Sequence, residues 1–311
     1  MMRSHGTGAG ERLFGERLPY FDAHCDTLSR CLQTGESLLQ TAGQCDLTRL
    51  ASYSPCGQVF AMFHDGADVP PEGLFGRLRR MYALFCRERA ALPEKLGDAA
   101  LSIEGGELLE CSLRRLEEIG DWDVRAINLT WNHANALSGS HREEPERGLS
   151  PAGRAFVRKA QAMGILMDVS HLSDPGFWDL ADMTELPLFA SHSNSRAVCG
   201  HTRNLTDDQF RAIRDSGGVV GINLFNAFVG GDSMEHLLAH FDHFLELGGE
   251  KTLALGSDWD GGIVGAGGIR GVEDMHCLAE AMAGHGYGKD LIWDIFYNNL
   301  ARLLSPAGGQ K

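Results

Sequence analysis

The chain has 311 residues, 43% of them apolar and 23% charged, a globular composition that excludes disorder, coiled coil and mini-protein classes. Twenty-eight basic residues against 42 acidic ones leave a net charge of −14. That excess argues against nucleic acid and anionic membrane surfaces as partners. No stretch approaches the ~18 uninterrupted apolar residues of a membrane span, and the first 26 residues lack an apolar run of signal-peptide length. The eight cysteines (25, 31, 45, 56, 86, 111, 199 and 277) form no CxxC pair. Reduced thiols and a cytoplasmic location are therefore expected.

In chain order, residues 1–15 are Gly-rich and polar and read as a flexible lead-in. Eight short apolar segments, bounded by turn residues, read as buried strands. They are 19–26, 58–65, 99–106, 124–131, 164–171, 187–193, 218–225 and 252–260. Helical patterns fall between them at 72–92, 150–163, 173–183, 206–216, 233–247, 274–284 and 289–304. Ser150, Ser173 and Thr206 stand where N-caps belong. The last six residues, 306–311, read as a frayed end. Length alone gives a prior of about two domains. Eight alternating units with no dinucleotide-type glycine fingerprint predict instead a single (β/α)8 barrel over residues 16–305. An open, doubly wound sheet is the second architecture compatible with the pattern.

In a barrel enzyme the chemistry lies where strands end. The first strand ends in His24-Cys25-Asp26 and the third in Glu104. The fifth ends in Asp168-Val169-Ser170-His171, the sixth in Ser191-His192-Ser193 and the eighth in Ser257-Asp258-Trp259-Asp260. Singly, each has a bland reading as a hydrogen-bonded or capping residue. Jointly, they gather three imidazoles and several carboxylates on one rim of an acidic protein. Carboxylates buried close together need a cation. Mixed nitrogen and oxygen donors suit Zn²⁺. The residues thus predict two metals held by His24, Asp26, Glu104, His171 and His192, with the two Glu104 oxygens placed to bridge and Asp258 beside a water.

FDAHCDTL, SIEGGE, MDVSHLS, FASHSNSRAVCGHTRN and GSDWDGG, in this order, resemble the membrane dipeptidase (renal dipeptidase) family of zinc metallopeptidases, amidohydrolase-type (β/α)8 barrels. The resemblance runs from about residue 20 to about 305. It implies that His24 and Asp26 bind one zinc, that His171 and His192 bind the other, and that Glu104 bridges both. With Glu104, Asp258 makes up the catalytic carboxylates, and Arg203 of GHTRN holds the substrate's free carboxylate. Two positions depart from the family. Trp131 stands where many members carry a substrate-contacting histidine at the end of strand four, which makes His133, two residues on, a candidate replacement. Phe228 stands where mammalian members carry a tyrosine after strand seven. The resemblance therefore implies a binuclear zinc dipeptidase acting on dipeptides with a free C-terminal carboxylate, L,D-dipeptides included, with a homodimer as the assembly. A barrel hydrolase for a lactam, an N-acyl amino acid or another amide, and a non-enzymatic metal- or peptide-binding protein, are the alternatives.

Overall fold

A computed structural model describes residues 12–66, 73–96 and 98–304. Most of the expected N-terminal segment and the whole of the 306–311 tail lie outside the described residues. Residues 12–15 belong to a hairpin, Arg12–Leu13 against Glu16–Arg17, turned by Phe14 and Gly15 at positive φ.

All eight expected strands form. They are β1 (Tyr20–Cys25), β2 (Cys56–Phe63), β3 (Ala99–Glu104), β4 (Val124–Asn128), β5 (Leu166–Asp168), β6 (Phe189–Ala190), β7 (Val219–Ile222) and β8 (Leu253–Leu255). Each pairs in parallel with its successor, and Leu255 of β8 pairs with Asp22 of β1. That last pairing closes the barrel and removes the open-sheet alternative. Seven of the eight strands are shorter than the apolar segments that announced them, and β2 is as long. Their ends carry polar residues to one rim, Glu104 as the last ladder residue of β3 and His171, His192 and Asp258 just beyond β5, β6 and β8.

Inside the barrel, Phe21, Ala100, Val59, Ala126, Leu166, Phe189, Val219 and Ala254 contribute one apolar side chain per strand. Leu300 and Leu304, from the helix Asn299–Leu304, pack against the same cluster. A second, larger core lies between the strands and the surrounding helices. The three expected caps form: Ser150 Oγ accepts from Gly153 N at 3.0 Å, Ser173 Oγ from Gly176 N at 3.1 Å and Thr206 Oγ1 from Gln209 N at 3.2 Å. Gln209 returns the bond to the Thr206 amide, a reciprocal cap. The pattern at 289–304 is a broken helix, Lys289–Trp293 and Asn299–Leu304 joined by one wide turn. Thr27–Thr34 and Leu113–Glu118 are helices that the periodicity was too short to announce. Among the described residues no helix is long and apolar enough to cross a membrane. All eight cysteines are free.

The rim depends on close backbone approach. A Cβ on Gly221 would lie 2.1 Å from the Ser191 carbonyl oxygen, and one on Gly256 would lie 2.0 Å from the same atom. Overpacking of this kind costs about 1–3 kcal/mol. Gly256→Ala should lose at least that in urea unfolding and should displace the segment after β6, which carries Ser191 and His192. Gly284 has open space around it at a helix end, so Gly284→Ala should be neutral or should gain about 0.4–1 kcal/mol.

Candidate metal centre

Glu104 ends β3 and is 2% exposed, and the strand ends on either side turn their polar groups toward it. Its Oε2 lies 3.6 Å from His24 Nε2. Its Oε1 lies 3.0 Å from His171 Nε2 and 3.5 Å from His192 Nε2. The two oxygens of one carboxylate thus face two separate sets of donors. Around His24 Nε2 stand Asp26 Oδ2 at 3.8 Å and Asp258 Oδ1 at 3.9 Å. On the other side, His171 Nε2 and His192 Nε2 face each other at 3.1 Å.

The backbone is bent to make this possible. Between Asp22 and Cys25, β1 carries one residue more than β2, a bulge at His24. His171 and Asp258 have φ of 70° and 66°, the left-handed region that non-glycine residues seldom adopt. Such backbone is tolerated where surrounding bonds hold it. Asp22 supplies some of them: its carboxylate accepts from the amides of His24 and Ser257, both at 3.0 Å, and so ties β1 to the end of β8. Asp168 does the same one third of the way round, accepting from Ser170 N at 2.9 Å and Ser191 N at 3.0 Å. Asn223, at the end of β7, donates to Asp258 Oδ2 at 3.0 Å and fixes that carboxylate. Neither its role nor the stapling by Asp22 and Asp168 was foreseen from sequence. Asp168 and Asn223 carry the mark of a polar residue at the end of an apolar strand, and Asp22 that of a carboxylate within one.

Several of these atoms are buried and lack a partner. Both ring nitrogens of His24, Asp26 Oδ1 and Glu104 Oε1 find no hydrogen bond. His171 Nε2 and Glu104 Oε1 approach to 3.0 Å with no hydrogen bond between them. Buried polar atoms left in this state are costly, and a cation among them satisfies all of them together. The electrostatics agree. Burial, with Asp26 and Asp258 adding to it and His24 opposing it, holds Glu104 well above the usual carboxylate range. Burial alone would lower His24, but Glu104, Asp26 and Asp258 overcome it and raise the ring well above its ordinary value. Burial, with Arg203 and neighbouring rings, holds His171 and His192 well below the ordinary value, in the neutral form that ligates metals. Burial pushes Asp258 up to about 6, against the pull of His24 and with the push of Asp26.

A cavity of about 450 Å³ opens over this cluster. Asp26, Glu104, His171 and Asp258 form its floor, and Phe63, Trp131, Phe225, Phe228 and Ile263 are among its walls. Trp131 packs on Phe63 with ring centres 5.0 Å apart, and Phe228 on Phe225 at 4.9 Å. His133 is a correction to the sequence reading. Its ring is exposed, sits 3.2 Å from the Glu143 carboxylate and lines a separate shallow pocket with Asp65 and Leu74. The loop turns outward after Asn132, so His133 does not take the place left by the missing family histidine. The imidazoles on the cavity wall are His141 and His201, neither of them selected from sequence. Arg203 is 4% exposed and lies behind the lining. Its guanidinium donates to Ser193 Oγ at 3.3 Å and the His192 carbonyl at 3.2 Å, rests 5.5 Å from the Phe228 ring centre and leaves Nε unpartnered. Burial pulls its pKa down to about 10, with Asp258 and Glu104 opposing.

Comparison with known proteins bears on this centre. The family model for membrane dipeptidase (peptidase family M19) matches residues 88–308. His24 and Asp26 precede that stretch and meet it only through the fold. An uncharacterized protein in the pqqA 5′ region of Klebsiella pneumoniae is 35% identical over 242 residues, 74% of this chain and 89% of that one. A metallo peptidase from Rhodobacter sphaeroides, solved with a phosphinate mimic of the dipeptide L-Ala-D-Ala, superposes with a TM-score of 0.81 at 26% identity, covering 93% of this chain and 99% of that one. The structure of dipeptidase AC, a metallo peptidase of family M19, gives 0.79 at 28% identity, with 93% and 98% covered. The chain belongs to the membrane dipeptidase family, M19, and is a metal-dependent peptide-bond hydrolase.

Proposed function

We propose that the protein is a binuclear zinc dipeptidase that cleaves dipeptides with a free C-terminal carboxylate, L,D-dipeptides among them. The observation that carries this reading is Glu104, whose two oxygens face His24 on one side and His171 with His192 on the other. His24 and Asp26 would hold one zinc and His171 and His192 the second, with Glu104 facing both sets of donors. When bound, the ions supply Lewis acidity, polarising the scissile carbonyl and making water a nucleophile near neutral pH.

The protein's own groups do the rest. Asp258, held through Oδ2 by Asn223, takes a proton from the attacking water and delivers it to the leaving amine as the C–N bond breaks. A carboxyl pushed up to about 6 is suited to both halves of that transfer. Arg203, a buried cation with an unpartnered Nε, holds the substrate's free carboxylate. Trp131 and Phe228 stand on the walls available to the substrate's side chains. The peptide mimic bound by the Rhodobacter sphaeroides relative supports a dipeptide of L,D configuration as substrate. Eight free cysteines suit a reducing, cytoplasmic setting.

Metal analysis tests the centre. Zinc-saturated wild type should carry two ions per chain, and His192→Ala should lose about one equivalent and nearly all turnover. One ion or none in wild type overturns the binuclear reading. Asp258→Asn should keep both ions while kcat falls on the order of 10²–10⁴-fold, the range of proton transfer by a positioned side chain. Loss of metal in step with activity would make Asp258 a ligand instead. A good dipeptide and its C-terminal amide should differ by roughly 10–150-fold in kcat/KM, the equivalent of the ~1.5–3 kcal/mol of a hydrogen bond to a charged group. Arg203→Ala should erase that difference while leaving residual turnover; equal cleavage of both by wild type removes the clamp.

A further inference from the structure

His141 and Asn132 line the cavity, yet their polar atoms are already engaged with each other and with the metal centre. Asn132 Oδ1 lies 2.9 Å from His171 Nδ1 and 2.8 Å from His141 Nε2. His141 Nδ1 lies 2.9 Å from Thr202 Oγ1. The backbone is tied at the same place, with the His141 amide donating to the His171 carbonyl at 2.9 Å. Ser140 Oγ donates to the Asn132 carbonyl at 2.7 Å, which closes the loop between the two residues.

We propose that Asn132, His141 and Thr202 form a hydrogen-bonded chain that holds His171 in the tautomer and orientation of a metal ligand, with Asn132 and His141 as positioning residues. The proposal rests on the zinc reading of the site above. A carboxamide oxygen has two lone pairs and can accept from both rings. A neutral imidazole has one N–H, so a proton on His171 Nδ1 leaves the lone pair on Nε2. Nε2 is the atom that faces Glu104 Oε1 and His192 Nε2. His141 spends its single N–H on the same oxygen, so its Nδ1 accepts from the Thr202 hydroxyl. Neither nitrogen of His141 remains for a substrate carbonyl, and the residue therefore acts through Asn132. Turning the carboxamide over would set its NH2 toward Nδ1, move the ring proton to Nε2 and remove the ligating lone pair.

The other two imidazoles are held differently. His192 Nδ1 meets the hydroxyl of its own neighbour Ser191 at 2.6 Å, and neither nitrogen of His24 has a hydrogen-bond partner. Among the described residues, the His171 chain alone joins an imidazole of the centre to two separate rim loops, those after β4 and β6. It also lies in the loop where Trp131 and His133 mark this chain's departure from its family.

Zinc affinity, measured by competition with a chromophoric chelator and checked by metal analysis, tests the proposal without reference to turnover. Loss of a group that orients a metal-bound histidine typically costs 10–100-fold in affinity. Asn132→Leu, which keeps the shape and removes the acceptor, should weaken one ion by about that factor and leave the other unchanged. The weakened ion should be the one that His192→Ala releases, so the double variant should lose no further equivalent. Asn132→Asp keeps an acceptor and should retain both ions at wild-type affinity. His141→Phe should weaken the same ion by less than Asn132→Leu, and His141→Gln, which keeps a donor, should restore part of the loss. Should Asn132→Leu not fold, the two His141 variants carry the comparison, with metal-free melting temperatures as the control for folding. Unchanged affinity in Asn132→Leu, or equal losses in the Leu and Asp variants, overturns the proposal. Wild type with fewer than two ions overturns the binuclear reading itself. Wild type with two ions and an indifferent Asn132 overturns only the positioning role.

Discussion

Three carboxylates and three imidazoles buried at one end of a barrel cannot coexist without positive charge. Two carboxylates about 4 Å apart repel by roughly 4 kcal/mol at an effective dielectric of about 20, and there is little water here to soften the repulsion. The described residues answer with one buried guanidinium, Arg203, and with a His24 ring that its carboxylate neighbours hold well above its ordinary pKa. Neither satisfies Glu104 Oε1 or the His24 nitrogens. The chemistry of this donor set suits cations, and the rest of the rim holds its nitrogen and oxygen atoms in place.

That holding is the work of the barrel. Parallel strands bring the ends of β1, β3, β5, β6 and β8 to one rim, although they are far apart in the chain. A bulge at His24 and left-handed backbone at His171 and Asp258 aim the side chains. The buried carboxylates of Asp22 and Asp168 then stitch neighbouring strand ends through backbone amides. Gly221 and Gly256 let β7 and β8 approach the Ser191 carbonyl, and so bear on the placement of His192. Stability and chemistry are coupled here, because a change in backbone packing on this rim moves a ligand.

The cavity above the centre is shaped by loops, the one after β4 among them. Trp131 contributes an apolar wall, while His133 turns to Glu143 and solvent. The imidazole that does reach the cavity is His141, drawn back to the rim by Asn132 and Thr202.

The apolar strand segments, the caps at Ser150, Ser173 and Thr206, and the polar residues at five of the strand ends were legible in the amino-acid sequence. Local physics decides them: burial sets the strand pattern, and a hydroxyl beside free amides sets a cap. The same logic predicted the gathering of His24, Asp26, Glu104, His171, His192 and Asp258, because eight parallel strands have one C-terminal rim. Tertiary structure decided what depends on distance between chain segments. It closed the barrel through Leu255 and Asp22, turned each Glu104 oxygen to a different partner set, and buried Arg203 behind the cavity wall. It also excluded His133 and admitted His141. No periodicity marks which of two loop histidines folds inward. That choice rests on hydrogen bonds to Asn132 and Thr202, groups that meet only once the rim has formed.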